Sequence, residues 1–169
     1  MILTRDAILR EIAAGRLGID PLVPDQIGPA SIDLHLGDEI RVMEGGPDVV
    51  DVTEEADYRT ITKVRALDGT YLLKPGETIH GITRERIHLP GDIAGWLEGR
   101  SRFARLGLMI HVTSGFVAPG VNSRQVLEMS NVAGRLLAIR PGVRVCQIVL
   151  QRCDGSAVYQ GRFARQDAL

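Results

Sequence analysis

The run Val126-Leu127-Glu128-Met129-Ser130 holds one carboxylate inside a segment of alternating character. Successive strand residues point to opposite faces, so Leu127 and Met129 share one face and Glu128 shares the other with Val126 and Ser130. A glutamate beside an apolar neighbour is desolvated unless it is paired, which raises its pKa toward the range useful for moving protons. The strand alone equally describes a surface glutamate on a solvated sheet, which is the commoner occurrence. Upstream, Met109-Ile110-His111-Val112-Thr113-Ser114-Gly115-Phe116 is apolar and then small and polar, and its backbone could read the edge of a base. His111 fits either a catalytic imidazole or a core histidine packed between Ile110 and Val112.

A second chemical segment runs from Gly99 to Leu108, Gly-Arg-Ser-Arg-Phe-Ala-Arg-Leu-Gly-Leu. It predicts a short helix over about 101–106, capped by Ser101 and stopped by glycine. Ser101 and Arg105 are then four residues apart on one face. Arg100, Ser101 and Arg102 at the start of such a helix would form an anion site for phosphate, because unpaired N–H groups gather there. A capped surface helix with solvated arginines has the same spacing.

The elements that must position these groups are mostly strands. Short alternating segments are predicted at Ser31–Leu36, Glu39–Met43, Tyr71–Leu73, Thr78–Thr83, Gln125–Asn131, Leu136–Ile139 and Val143–Gln151, separated by turn dipeptides such as Pro75-Gly76, Pro119-Gly120 and Pro141-Gly142. One helix is expected from Thr4, as cap, to about Ala14, with a Leu3–Ile8 staple and Gly15 as its stop, lying as a peripheral lid. The polar stretch from Gly45 to Arg65 reads as a long excursion.

At 169 residues the chain suits a single domain. A formal charge of -1 provides no global field for nucleic acid or an anionic membrane, so neither is expected as a partner. Cys146 and Cys153 make no disulfide framework, the N-terminus lacks a signal-peptide layout, and no apolar run reaches the ~20 residues of a membrane span. A cytoplasmic location is the expectation.

Three blocks together resemble the dCTP deaminase family of the dUTPase-like superfamily. They are Gly28-Pro29-Ala30-Ser31-Ile32-Asp33-Leu34-His35-Leu36-Gly37; Gly95-Trp96-Leu97-Glu98-Gly99-Arg100-Ser101 continuing to Thr113; and Val126-Leu127-Glu128 followed by Arg140-Pro141-Gly142 and Gln147. The resemblance extends from Met1 to about Leu150. It implies a mostly β, dUTPase-like distorted β-barrel or jelly roll (β-clip) over residues 1–169, a homotrimer with sites between subunits, and a tail from about 155 that closes over the nucleotide. It implies hydrolytic deamination of dCTP to dUTP and ammonia, with Glu128 as general acid and base and Ser101 and Arg105 holding the water and the glutamate.

By the same resemblance the nucleotide-binding positions are Arg100, Ser101, Arg102, Phe103, Ala104, Arg105, Val112, Thr113, Val126, Leu127, Glu128, Gln147, Tyr159, Arg162 and Gln166. Mg²⁺ would arrive on the triphosphate, and dTTP is implied as a feedback inhibitor. Zinc deaminases need a His or Cys followed by a Cys-x-x-Cys pair, and Cys146 and Cys153 do not have that spacing, so a zinc-independent reaction is expected.

The chain departs from the family pattern in three places. Ala118, in Phe116-Val117-Ala118-Pro119-Gly120, stands where an aspartate is usual, which argues against dUTP hydrolysis. Arg102 replaces a serine. In the tail Tyr159 matches, Val158 replaces a lysine, and either Arg162 or Gln166 takes the place of a glutamine. Two alternatives stay open: a bifunctional enzyme yielding dUMP and diphosphate, toward which Thr113-Ser114-Gly115-Phe116 points, and a non-catalytic nucleotide-binding homologue.

Overall fold

Backbone register, more than helix packing, organises this chain. The structure is a computed structural model and describes all residues except Val112, Arg162 and Arg165. Its strands are β1 (Gly18–Asp20), β2 (Ile32–Met43), β3 (Thr62–Ala66), β4 (Tyr71–Leu73), β5 (Thr78–His88), β6 (Ile93–Gly99), β7 (Leu108–Ile110), β8 (Phe116–Val117), β9 (Asn122–Asn131), β10 (Leu137–Ile139) and β11 (Arg144–Arg152). Among the described residues nine of them join one curled sheet, the half-barrel of a dUTPase-like fold. Its order is β7-β9-β5-β2-β11-β6-β8, with β1 added to β5 and β3 to β2, while β4 and β10 form a separate antiparallel pair.

The segments expected at Ser31–Leu36 and Glu39–Met43 are a single strand, β2, whose register shifts between Leu36 and Ile40. Gly37 sits in that irregularity. A Cβ there would fall 3.0 Å from the Ile82 carbonyl oxygen and 2.7 Å from Arg124 Nη2, so the close crossing of β2 and β5 needs a residue without one. The bulge lets β2 pair with β11 in its first half and with β5 and β3 in its second. Five strands fall outside the expected list: β1, β3, β6, β7 and β8. They are short or carry consecutive buried residues, as in Ile93-Ala94-Gly95 of β6, and so lack the alternation that marks a half-buried strand.

The inward faces supply the core. Ile32, Leu34 and Leu36 of β2, Ile79 and Ile87 of β5, Leu127 and Met129 of β9, and Ile148 and Leu150 of β11 are fully buried. The predicted alternation of β9 is therefore correct: Leu127 and Met129 face the core, and Val126, Glu128 and Ser130 face the other way, half-buried.

Both helices differ in detail from expectation. α1 (Arg5–Ala13) has Thr4 at its N-cap position without a side-chain cap bond and ends at Gly15, φ +67°. It is no lid. Leu3 N–H donates to Leu150 O, Ile8 is fully buried, and Glu11 pairs with Arg16 and Arg152 at 2.7 and 2.6 Å, which docks the helix on β11. α2 (Ser101–Ala104) is one turn, shorter than the expected 101–106, and its N-cap is Arg100 rather than Ser101. Arg100 already has the extended backbone of a cap, so Ser101 becomes the first helical residue and its hydroxyl is left out of the capping role.

Asn131 locks the far end of β9. Fully buried, it donates from Nδ2 to Leu73 O at 2.9 Å and to Arg135 O at 2.8 Å, and Oδ1 accepts from Ala133 N–H at 2.8 Å. Removing the amide orphans backbone groups at each end. Asn131→Ala should lower unfolding free energy by roughly 2–4 kcal/mol, checked by urea denaturation, since each net bond is worth about 1 kcal/mol and buried groups left unpaired add more.

Candidate active site

Glu128 occupies β9, the strand between β7 and β5, and each neighbour brings an imidazole toward it. On the β5 side its register partner is His80. On the β7 side the chain continues from Ile110 into His111, whose N–H donates to Glu128 O at 3.1 Å and whose Nδ1 lies 2.6 Å from Glu128 Oε2. The Nδ1–Oε2 approach is a charge contact without the alignment of a linear hydrogen bond, and both atoms are buried with no hydrogen-bond partner among the described residues. His111 Nε2 stands 2.6 Å from Ser114 O. Both ring nitrogens thus face oxygen acceptors, an arrangement that the imidazolium satisfies and neither neutral tautomer does.

The backbone makes this possible. His111 has φ +55°, a left-handed conformation uncommon outside glycine, and that turn swings the ring back from the end of β7 onto β9. His111 is therefore not the core histidine packed between apolar neighbours that the sequence allows, but the partner of Glu128.

The charge states follow from the contact. Burial is the largest single influence on Glu128 and would raise its pKa, but the contact with His111 and its charge, with smaller help from the backbone and His80, carry it below the ordinary carboxylate value. The sequence implies a raised pKa only for an unpaired glutamate, and His111 is the partner that reverses the direction. Burial likewise opposes charge on His111, yet Glu128 and the Ser114 carbonyl carry its pKa above the ordinary value. Only one oxygen of Glu128 is buried; the side chain as a whole is 38% exposed and opens into a cavity.

That cavity has a volume of about 450 Å³ and is bounded by β5, β8, β9 and the C-terminal tail. Val126, Glu128, Tyr159 and Gln166 line it, as do His80, His111, Ala118 and Phe163. Among the described residues Glu128 is its only carboxylate, because position 118 is alanine. The tail is drawn over it: Ala157 N–H donates to Gly91 O, Tyr159 N–H to Pro119 O, and Gln166 O accepts from Arg124 N–H, with bonds of 2.9, 2.9 and 3.0 Å.

The remaining positions do not gather there within one protomer. Thr113 and Ala104 line a second cavity of about 470 Å³, which meets the first at His111, and Phe103 lines a small apolar cleft against Leu106 and Val145. Leu127 points into the core. Ser101, Arg102 and Arg105 are exposed and line none of these cavities. Arg100 contacts Asp33 Oδ2 at 3.0 Å and donates to Arg144 O, and Gln147 accepts from Ser31 Oγ at 2.7 Å. Val112 and Arg162 lie outside the described residues.

A family model described as dCTP deaminase-like matches residues 2–153. The chain belongs to the dCTP deaminase-like family. Relatives named "dCTP deaminase, dUMP-forming" include one from Rhodococcus opacus (strain B4), 39% identical over 158 residues, spanning 93% of this chain and 84% of the relative. Another, from Acidothermus cellulolyticus, is 38% identical over 175 residues, spanning 98% and 91%.

Among solved structures, the 2'-deoxycytidine 5'-triphosphate deaminase from Agrobacterium tumefaciens superposes with a TM-score of 0.71 at 24% identity, over 90% of this chain and 48% of that one. The chain thus spans about half the length of that protein. The dUTPase from phage phi11 of S. aureus gives a TM-score of 0.51 at 15% identity, over 86% and 96%. Both likenesses concern the fold.

For a dCTP deaminase-like chain, sequence reasoning missed His80, Ser123, Arg124 and Phe163 as cavity residues. A signal for one of them existed: in Thr78-Ile79-His80-Gly81-Ile82 the histidine interrupts an otherwise apolar strand. No local pattern marks the others, because the tail and β9 meet only in three dimensions.

The His111–Glu128 contact fixes a pH dependence. His111, with its pKa raised on folding, contributes stability that is complete below its ordinary value of 6.5 and lost as pH rises through the folded value. Glu128, with its pKa lowered, contributes stability present above its ordinary value of 4.5 and lost as pH falls through the folded value. The destabilisation caused by His111→Ala should therefore be largest between pH 4.5 and 6.5 and shrink on the alkaline side, measured by thermal melts across pH.

Proposed function

We propose that this chain deaminates dCTP hydrolytically to dUTP and ammonia, cleaving the C–N bond of the cytosine amidine, with Glu128 as general acid and base. The observation that carries the reading is a single ionised carboxylate facing a cavity of nucleotide dimensions, in a chain of the dCTP deaminase-like family. Its pyrimidine would lie between Val126 and the segment ending at Ser114 and Phe116, under Tyr159 of the tail.

Glu128 enters the reaction as the carboxylate. It takes a proton from water as the oxygen attacks C4, and that proton passes to N3. The hydroxyl proton of the tetrahedral intermediate then moves by way of Glu128 to the amino group, the C4–N bond breaks, ammonia departs, and C4 becomes the keto carbon. Acid–base transfer of this kind contributes about 10²–10⁴-fold. His111 holds the carboxylate charged and in place beforehand.

Ser101 and Arg105 enter this reading from a neighbouring copy in a homotrimer, each protomer supplying one wall of its neighbour's site. Two features support that. Neither residue borders the Glu128 cavity of its own protomer, and the rim next to His111 carries Trp96, Met109 and Phe116, 44%, 38% and 51% exposed, with the Trp96 and Phe116 rings tilted against each other at 5.0 Å. Exposed apolar surface of this kind marks association. Arg102 and Arg105, without ion-pair partners among the described residues, would meet phosphates, and Arg100 and Gln147 stand behind them. Mg²⁺ is part of the substrate here, bound to phosphate oxygens with most of its waters. The tail carrying Tyr159 and Gln166 would complete the cover.

The second reading, release of dUMP and diphosphate, draws on the relatives named dUMP-forming. Ala118 weighs against it: hydrolysis of the anhydride needs a second activated water, and the cavity has no second carboxylate among the described residues to hold one.

Incubation with dCTP and Mg²⁺, followed by ion-exchange separation, decides between the products. Ammonia with dUTP is the expected outcome; diphosphate with dUMP would replace the first reading by the second. Glu128→Ala should lower deamination by at least about 10²-fold while nucleotide binding persists. Undiminished ammonia release from that variant would dismiss Glu128 as the acid–base group.

A further inference from the structure

His80 faces Glu128 across the β5–β9 ladder, on the side away from His111. Thr78 and Ser130, the next pair along, join hydroxyls at 2.8 Å, so Thr78, His80 and Ile82 share a face with Ser130, Glu128 and Val126. Directly opposed side chains in such a ladder lie within reach of each other. His80 is only 9% exposed, lines the Glu128 cavity, and its Nδ1 is buried without a hydrogen-bond partner among the described residues. Buried polar atoms are seldom left unpaired, and such an atom at a site calls for a functional account.

We propose that His80 is a positioning residue for Glu128: in the nucleotide-loaded site the carboxyl group turns from His111 toward His80, whose Nδ1 accepts a hydrogen bond from Glu128 in its protonated form. The assignment rests on Glu128 being the acid–base group of the deamination.

The surroundings suit that role. Tyr58 meets the His80 ring edge-on at 5.4 Å, and the Arg41 guanidinium from β2 lies over the Tyr58 ring at 5.4 Å. Tyr58, which also lines the cavity, thereby packs the ring from one side. Of the charged groups near it, Glu128 favours a proton on His80 and Arg41 opposes one; burial, the largest influence, acts with Arg41 and holds its pKa below the ordinary value, so the ring is neutral at neutral pH. His111 stands beyond Glu128 on the β7 side.

A neutral imidazole carrying its proton on Nε2 has a lone pair at Nδ1 to offer. His111 has none to offer once both its nitrogens serve oxygen acceptors. The two rings therefore favour opposite states of the carboxyl group: His111 stabilises the resting carboxylate, and His80 stabilises the acid formed when water gives up its proton. A hydrogen bond to the protonated form makes Glu128 a better base at that step. His80 itself gains no proton and no bond is made to it.

Two measurements test this. In the first, His80→Leu keeps the packing and removes the acceptor, and His80→Gln restores an acceptor at the amide oxygen. Leucine should lower kcat for dCTP about tenfold or more with KM within about twofold, and glutamine should recover most of the loss. In the second, Glu128→Gln, whose amide donates as the protonated acid does, is labelled with ¹⁵N-histidine and titrated with dCTP and Mg²⁺; the Nδ1 resonance of His80 should move on binding. A folded His80→Leu with unchanged kcat, or bound dCTP that leaves that resonance in place, would overturn the proposal. Wild-type protein that releases no ammonia from dCTP would remove the Glu128 reading, and the role of His80 with it.

Discussion

The antiparallel ladder between β5 and β9 is the constraint on which the site depends. A slip of one residue in β9 would turn Leu127 and Met129 to the cavity and drive Glu128 into the core, so burial of those two side chains fixes the face on which the carboxylate emerges. The same register sets which β5 residue stands beside it. Because β9 also pairs with β7, the strand carrying the acid is an inner one, braced along both edges, and Glu128 is a rigid fixture of the sheet. Catalytic groups held on such elements keep their geometry better than groups on loops.

Around that fixed strand position the electrostatics are set by what can approach it from each side. His111 comes from the β7 side by a left-handed turn, and His80 from the β5 side by ordinary strand geometry. One ring is drawn toward its charged form by two oxygens; the other is kept neutral by burial and by the cation above Tyr58. A carboxylate between two imidazoles of opposite disposition differs from an isolated glutamate, whose pKa would simply rise with burial. The arginines proposed to meet phosphate are held differently: Arg100 is braced by Asp33 and by the Arg144 carbonyl, whereas Arg102 and Arg105 are exposed on a one-turn helix.

What could be read from the sequence was what is local. The alternation in β9, the position of α1, the strand Tyr71–Leu73 and the turn glycines follow from periodicity and backbone preference, and the structure has them. The environment of Glu128 could not be read, nor the direction of its pKa, because the partner arrives through a positive φ at a histidine that no composition rule marks. Strands β6, β7 and β8 were missed for a related reason: continuous apolar runs carry no period, and their pairing is settled by partners distant in the chain. The capping role expected of Ser101 shifted by one residue, an error typical of helix ends. Family resemblance supplied what periodicity could not, the curled arrangement of the sheet.

The tail has a consequence for how the protein should respond to heat. Beyond β11 it crosses the cavity without joining a ladder among the described residues, held by backbone bonds at Gly91, Pro119 and Arg124, by the pairing of Arg86 with Asp167 and by the packing of Tyr159 against the core. Segments held outside the ladders detach at lower free energy than the strands beneath them. Warming would thus peel the cover from the cavity while the sheet stays folded, so the cavity would open to solvent below the melting temperature and close again on cooling.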